Sequence, residues 1–196
     1  ILALSDNRLE YSQFVKFTVD RRRYIPLGSS TIFATRFFGG LAQPFTYDQI
    51  IPLNQRFFAG GSNDIRGWEP FRLGPGSTPQ TEVTRPGGDI KLAAFMELRR
   101  PIIQSSGSGD IQLAWFVDSG NIWYSPQREL RGLNNQNILD KGVFSFRSFP
   151  REVAVSSGLG LRFDWDFVVA RVDFSLRTHD PLSGWFNNKK MYFSFG

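Results

Sequence analysis

Residues 153–177 read VAVSSGLGLRFDWDFVVARVDFSLR, and the alternation within them decides the fold. Val153, Val155, Leu159, Leu161, Phe163 and Trp165 are set against Ser156, Gly158, Gly160, Arg162 and Asp164. After a tight corner at 164–167, Val168, Ala170, Val172, Phe174 and Leu176 oppose Arg171, Asp173, Ser175 and Arg177. Residues two apart share one face of a β-strand, so each half predicts a strand with an apolar face and a polar face.

The same period continues in both directions. Met191, Phe193 and Phe195 alternate with Tyr192 and Ser194. Upstream, Ile111, Leu113, Trp115 and Val117 are set against Gln112, Ala114, Phe116 and Asp118. Ile90, Leu92, Ala94, Met96 and Leu98 face away from Asp89, Lys91, Ala93, Phe95, Glu97 and Arg99. A noisier stretch, 29–41, places Phe33 and Phe37 opposite Ala34 and Arg36. Earliest come Leu9, Tyr11, Val15, Phe17 and Val19, interleaved with Glu10, Ser12, Lys16, Thr18 and Asp20. Seven strands are predicted and no helix of any length, so the chain is all-β.

Composition agrees. The 196 residues include 20 Phe, 5 Trp, 5 Tyr, 19 Gly and 11 Pro, the profile of an aromatic-rich β protein with many turns. There is no cysteine, which excludes a disulfide framework and a thiolate metal site. The net charge of +5 comes from residues scattered along strands that also carry acids. The basic run Arg21-Arg22-Arg23 is predicted at a strand end, facing solvent or lipid headgroups rather than nucleic acid. No run approaches the ~20 apolar residues of a membrane helix.

Alternation alone also suits a soluble sandwich. Three features favour a transmembrane antiparallel β-barrel. The predicted strands have about the 9–11 residues that cross a tilted path through a bilayer. The polar face carries charged and small residues, as a wet lumen would. Connections alternate in length: 24–28, 102–109 and 164–167 are short, whereas 42–88, 124–150 and 178–188 are long. Short turns on one side and long loops on the other characterise bacterial outer-membrane barrels. Trp123, Tyr124, Trp165 and Trp185 lie near strand ends, where aromatic girdles form.

The longest connection, 42–88, exceeds the ~12–15 residues beyond which loops are usually functional or disordered. Disorder is excluded by Phe57, Phe58, Ile65, Trp68 and Phe71. The loop is expected to fold back onto another part of the protein. Gly60, Gly61 and Gly67 allow positive φ and close backbone approach, and Arg66 offers a planar fork of donors suited to carboxylates.

The loop sequence RFFAGGSNDIRGW, followed by Leu73-Gly74-Pro75-Gly76, resembles the lumen loop of the BamA/TamA family of outer-membrane assembly translocons. That loop carries an aromatic–Ala–Gly–Gly element and an Arg–Gly–aromatic tip. GDIKLAAFMEL, with Glu97, is similar to the strand that follows. LAWFVDSGNIW, with Phe116, Asp118 and Gly120, resembles the next, and GLGLRFDWDFVVARVDFSLR the final hairpin. The compact loop and tight Asp-Trp-Asp hairpin fit the TamA-like branch better.

The resemblance implies that residues 1–196 are the C-terminal portion of a 16-stranded barrel, with POTRA repeats and the first strands upstream. It implies the bacterial outer membrane, with surrounding lipid and lipopolysaccharide. It also implies client outer-membrane or secreted proteins, accessory assembly subunits, and strand addition at a seam beside 190–196. The family's contacts, carried over, link Arg66 to Glu97 and Asp118, with Trp68 adding packing. Strand parity agrees, since both carboxylates fall on the polar faces of neighbouring strands. A two-partner-secretion pore shares the fold and the Arg–Gly–aromatic loop, and a plain diffusion porin shares the barrel.

Enzyme readings are weak. His179, the sole histidine, lies in Thr178-His179-Asp180-Pro181, which reads as a solvated strand exit, and no Gly-x-Ser-x-Gly elbow accompanies it. The carboxylates Glu97, Asp118, Asp164, Asp166 and Asp173 are interleaved with Arg99, Arg162, Arg171 and Arg177, a pattern of lumen charge balance. Gly158-Leu159-Gly160 sits in an alternating strand and reads as a packing device. No catalytic residue, metal site or cofactor is expected.

Overall fold

The computed structural model describes residues 13–45, 51–83, 85–103, 110–126, 141–165, 168–186 and 191–196. Leu9, Tyr11 and Asp166 lie outside the described residues.

Six long strands form one antiparallel sheet in sequence order: β1 (Phe14–Leu27), β2 (Thr31–Pro44), β3 (Ile90–Ile103), β4 (Asp110–Trp123), β5 (Ala154–Trp165) and β6 (Val168–Asp180). The two-residue β7 (Gly184–Trp185) and five-residue β8 (Met191–Phe195) both pair with the far edge of β6. A four-residue helix, α1 (Phe149–Glu152), precedes β5.

The faces fall as the alternation predicts. On one face Val15, Phe17, Phe37, Leu113, Trp115, Leu159, Met191, Phe193 and Phe195 are exposed, and no described element covers them. A sandwich would bury that face against a second sheet; a barrel wall turns it to lipid. No described helix is long and apolar enough to cross a membrane, a fact without bearing on spanning by strands.

The opposite face is covered by the β2–β3 connection. Ile51, Phe57, Ala59, Ile65, Trp68 and Leu73 from the loop bury themselves against Ala42, Ala93, Ile122 and Ala154 of the wall. Small wall residues leave the volume that the loop's large side chains fill. Each large apolar side chain so buried contributes about 1.5–3 kcal/mol relative to exposure. The loop is thus a packed layer on the inner face.

Several expectations are corrected. β1 through β4 each have 14 residues, longer than expected. The backbone ladder runs on after the apolar/polar pattern stops. For that reason Arg21-Arg22-Arg23 lie inside β1, paired with Phe37, Arg36 and Thr35 of β2, rather than at a strand end. The turn after β1 accordingly sits at 28–30.

The aromatics divide. Trp165 and Trp185 are 39% and 59% exposed, as interfacial residues would be. Trp123 and Tyr124 are buried: Trp123 packs on Phe144 and Phe149 and donates to Glu152 Oε2 at 2.7 Å, while Tyr124 Oη donates to the Arg85 carbonyl. The end of β4 is wrapped on both faces by loop segments, so parity no longer selects an exposed side there.

His179 is not a solvated exit residue either. β6 extends to Asp180, and the ring is buried under Trp185 at a centroid distance of 4.7 Å. Its Nδ1 lies 2.6 Å from the Val153 carbonyl, so Nδ1 carries the proton.

Candidate functional site

The loop tip is built on positive φ. Gly60, Gly61 and Gly67 have φ of 99°, 108° and 96°, values that favour glycine. A Cβ at Gly67 would lie 3.2 Å from Ser156 Cβ on β5, so the tip sits directly on the wall. The turn closes on itself: Gly61 N donates to the Trp68 carbonyl, and Asp64 Oδ2 accepts from Gly60 N at 2.9 Å. Lys91 on β3 then staples it, donating to Asp64 Oδ1 at 2.8 Å and to the Phe58 carbonyl at 2.7 Å.

This geometry aims Arg66 into the sheet. Its Nε and Nη2 donate to the two oxygens of Asp118 at 2.6 and 2.7 Å, a bidentate fork, and its backbone N–H adds a third bond to Asp118. Nη1 reaches Glu97 Oε2 at 3.0 Å and Asp173 Oδ2 at 3.2 Å. The guanidinium also lies on the Phe116 ring, 3.4 Å from its centroid. Burial acts to depress the Arg66 pKa, but the bonds to Asp118 and the fields of Asp118, Asp173 and Glu97 outweigh it, so the group is held above its ordinary value.

A second arginine completes the cluster. Arg162 on β5 donates to both Glu97 oxygens, at 3.1 and 2.6 Å, and to Asp173 Oδ1 at 2.9 Å. Arg99 adds a 2.6 Å bond to Glu97 Oε1. Arg66, Arg162, Glu97, Asp118 and Asp173 are all buried. Two cations among three anions, with Arg99 beside them, satisfy one another in a water-poor interior. Such clusters hold registry, because losing any member leaves an uncompensated charge.

The expected Arg66–Glu97–Asp118 trio is therefore assembled, and Trp68 is buried in the loop core. Unanticipated are Asp173 and Arg162 as direct members and β6 as an anchoring strand. Arg171 Nη2 donates to the Ser62 carbonyl at 2.7 Å and to Asn63 Oδ1. Arg177 Nε donates to the Gly67 carbonyl at 2.8 Å. The inner-face parity of these residues was the available signal. Gly160, paired with Asp173, supplies the missing piece, since a Cβ there would strike Asp173 Oδ1.

Among the described residues, no three His, Cys, Asp or Glu side chains are grouped so as to hold a metal ion. The cluster's carboxylates are occupied by guanidinium groups. What the arrangement does is mechanical: it fixes a loop to four consecutive strands.

The chain matches the Omp85 superfamily domain over residues 8–196. The chain belongs to the Omp85 superfamily. An Omp85 relative, the outer membrane protein assembly factor BamA of Neisseria meningitidis serogroup B, is 25% identical over 163 residues, 80% of this chain and 20% of that protein. The mouse sorting and assembly machinery component 50 homolog is 26% identical over 113 residues, 56% of this chain and 23% of that protein. The chain thus spans about a fifth of the length of the curated relatives it matches. In fold it resembles crystalline BamA from Haemophilus ducreyi lacking POTRA domains 1–3, with a TM-score of 0.69 at 19% identity. That match covers 94% of this chain and 34% of the other. The sheet is accordingly part of an Omp85-type barrel.

Proposed function

We propose that this chain is the C-terminal barrel portion of an outer-membrane assembly factor that helps insert or export β-barrel or surface proteins. Its surroundings are outer-membrane lipid and lipopolysaccharide, its partners client proteins and accessory subunits, and POTRA repeats with the first barrel strands precede it. No bond-making chemistry is part of this role. The work is strand addition, in which unpaired backbone at a sheet edge templates an incoming strand.

The observation that carries the reading is the buried Arg66–Asp118 fork, which fixes a folded loop on the inner wall. The resemblance of the relatives, both assembly components by name, supports the same reading.

The test is reconstitution of the full-length protein in lipid vesicles, following membrane insertion of an unfolded β-barrel client by its protease resistance. Wild type should accelerate insertion and Arg66→Ala should lose most of that acceleration while remaining membrane-inserted. An unchanged rate in Arg66→Ala would refute the role of the pinned loop. Large single-channel conductance without any acceleration by wild type would favour a porin.

A further inference from the structure

Arg177 makes contact with three separate elements. Nε donates to the Gly67 carbonyl of the loop tip at 2.8 Å. Nη1 bonds Asp180 Oδ2 on its own strand at 2.9 Å, and Nη2 donates to Tyr192 Oη on β8 at 2.5 Å. Its guanidinium carbon lies 4.8 Å from the Trp68 ring centroid and 4.8 Å from that of Tyr192. All three nitrogens are therefore engaged, and both rings lie within cation–π reach of the guanidinium.

β8 depends on this contact more than an interior strand would. It pairs with β6 over five residues, Leu176↔Met191 to Val172↔Phe195, and has no partner on its other edge among the described residues. Met191, Phe193 and Phe195 point to the bare face, at 64%, 66% and 72% exposure. Only Tyr192 and Ser194 turn inward, and Ser194 Oγ has no hydrogen-bond partner. The link from β8 to the loop runs through the Tyr192 side chain.

We infer that Arg177 is a positioning residue that couples the loop tip to the C-terminal edge strand, through a Trp68–Arg177–Tyr192 column. The planar fork serves loop and strand at once, so displacing either one removes part of what orients the guanidinium for the other. Coupling of this kind is reciprocal: a change at β8 loosens the loop by the factor with which a change in the loop loosens β8. Its consequence for strand addition rests on the proposed function. There, an incoming strand that moves β8 would release the loop tip.

Amide hydrogen exchange of the full-length protein in lipid nanodiscs tests the coupling without any client. Trp68→Ala should speed exchange across 191–195 by about five- to tenfold, the low end of typical coupling. Tyr192→Phe, which removes one hydroxyl, should speed exchange at 61–68. The double variant should not exceed the larger single effect by simple addition, since the two act through one residue. Arg177→Lys should not restore protection, because an ammonium lacks the fork and the stacking plane. Wild-type exchange at 191–195 in Trp68→Ala, or additive effects in the double variant, would overturn the coupling. Coupled exchange with no client insertion by wild type would leave the column standing and sink the assembly role.

Discussion

Arg66 and Asp118 stand 52 positions apart in the chain, yet they meet through two parallel bonds of 2.6 and 2.7 Å with the Asp118 side chain fully buried. The sequence distance is the loop and one hairpin; the contact closes both. A buried guanidinium beside a buried carboxylate is costly to desolvate, so the pair acts less as net stabiliser than as a lock with one fitting arrangement.

Breaking that lock from one side should therefore cost more than removing it whole. Asp118→Asn and Arg66→Met singly are each expected to destabilise the folded barrel by about 3–5 kcal/mol, the usual penalty for orphaning a buried charge. Combined, they should cost clearly less than the sum, because neither charge is then unpaired. Arg66→Lys should behave nearer to Arg66→Met than to wild type, since an ammonium cannot form the fork. Urea unfolding in lipid vesicles, read as the heat-modifiable gel shift of a folded barrel, measures all four. A strictly additive double variant would mean that the two residues are independent.

Lys91 provides a second, separable fastening. It holds Asp64 and the Phe58 carbonyl while touching none of the central cluster's carboxylates. Lys91→Met should leave the wall intact and cost about 1–3 kcal/mol, the price of two unsatisfied partly buried acceptors. Limited proteolysis locates the effect: new cleavage is expected within 56–64, with the strands still protected. Cleavage spread through the strands would show that Lys91 supports the wall itself.

The faces of the strands were legible because period 2 is enforced wherever one side meets lipid and the other a polar interior. Glu97 and Asp118 were placed correctly for that reason, as was the positive φ at Gly60, Gly61 and Gly67. Asp173 was on the right face but not assigned to Arg66. Its reach depends on the bare Cα of Gly160 across the β5–β6 pair, a register fact invisible to a single strand. In the sequence Arg177 reads as lumen charge, because its partners lie on the loop tip and on β8, elements joined only by tertiary folding. Trp123 and His179 failed differently. Both sit where loops cover a strand end, Phe144 and Phe149 over Trp123 and Trp185 over His179, and neither covering segment has a periodicity that signals which face it will cover.

One pH effect should be visible outside the membrane-spanning strands. Glu152 in α1 is buried beneath Trp123, whose indole donates to Oε2, and burial pushes its carboxyl above the ordinary glutamate range despite that bond. The native cap then binds more protons than its opened form, so its stability is greatest at low pH. It falls as pH rises from the ordinary glutamate pKa through the raised one. Protection factors for amides of 149–153, corrected for intrinsic exchange, should therefore decline as pH rises above the ordinary glutamate pKa of about 4.3. Glu152→Gln keeps an acceptor for the indole but cannot ionise, so its protection should be flat over the same range. A wild-type profile as flat as that of the glutamine variant would show that Glu152 keeps its charge at no cost, and that Trp123 alone holds the helix against the end of β4.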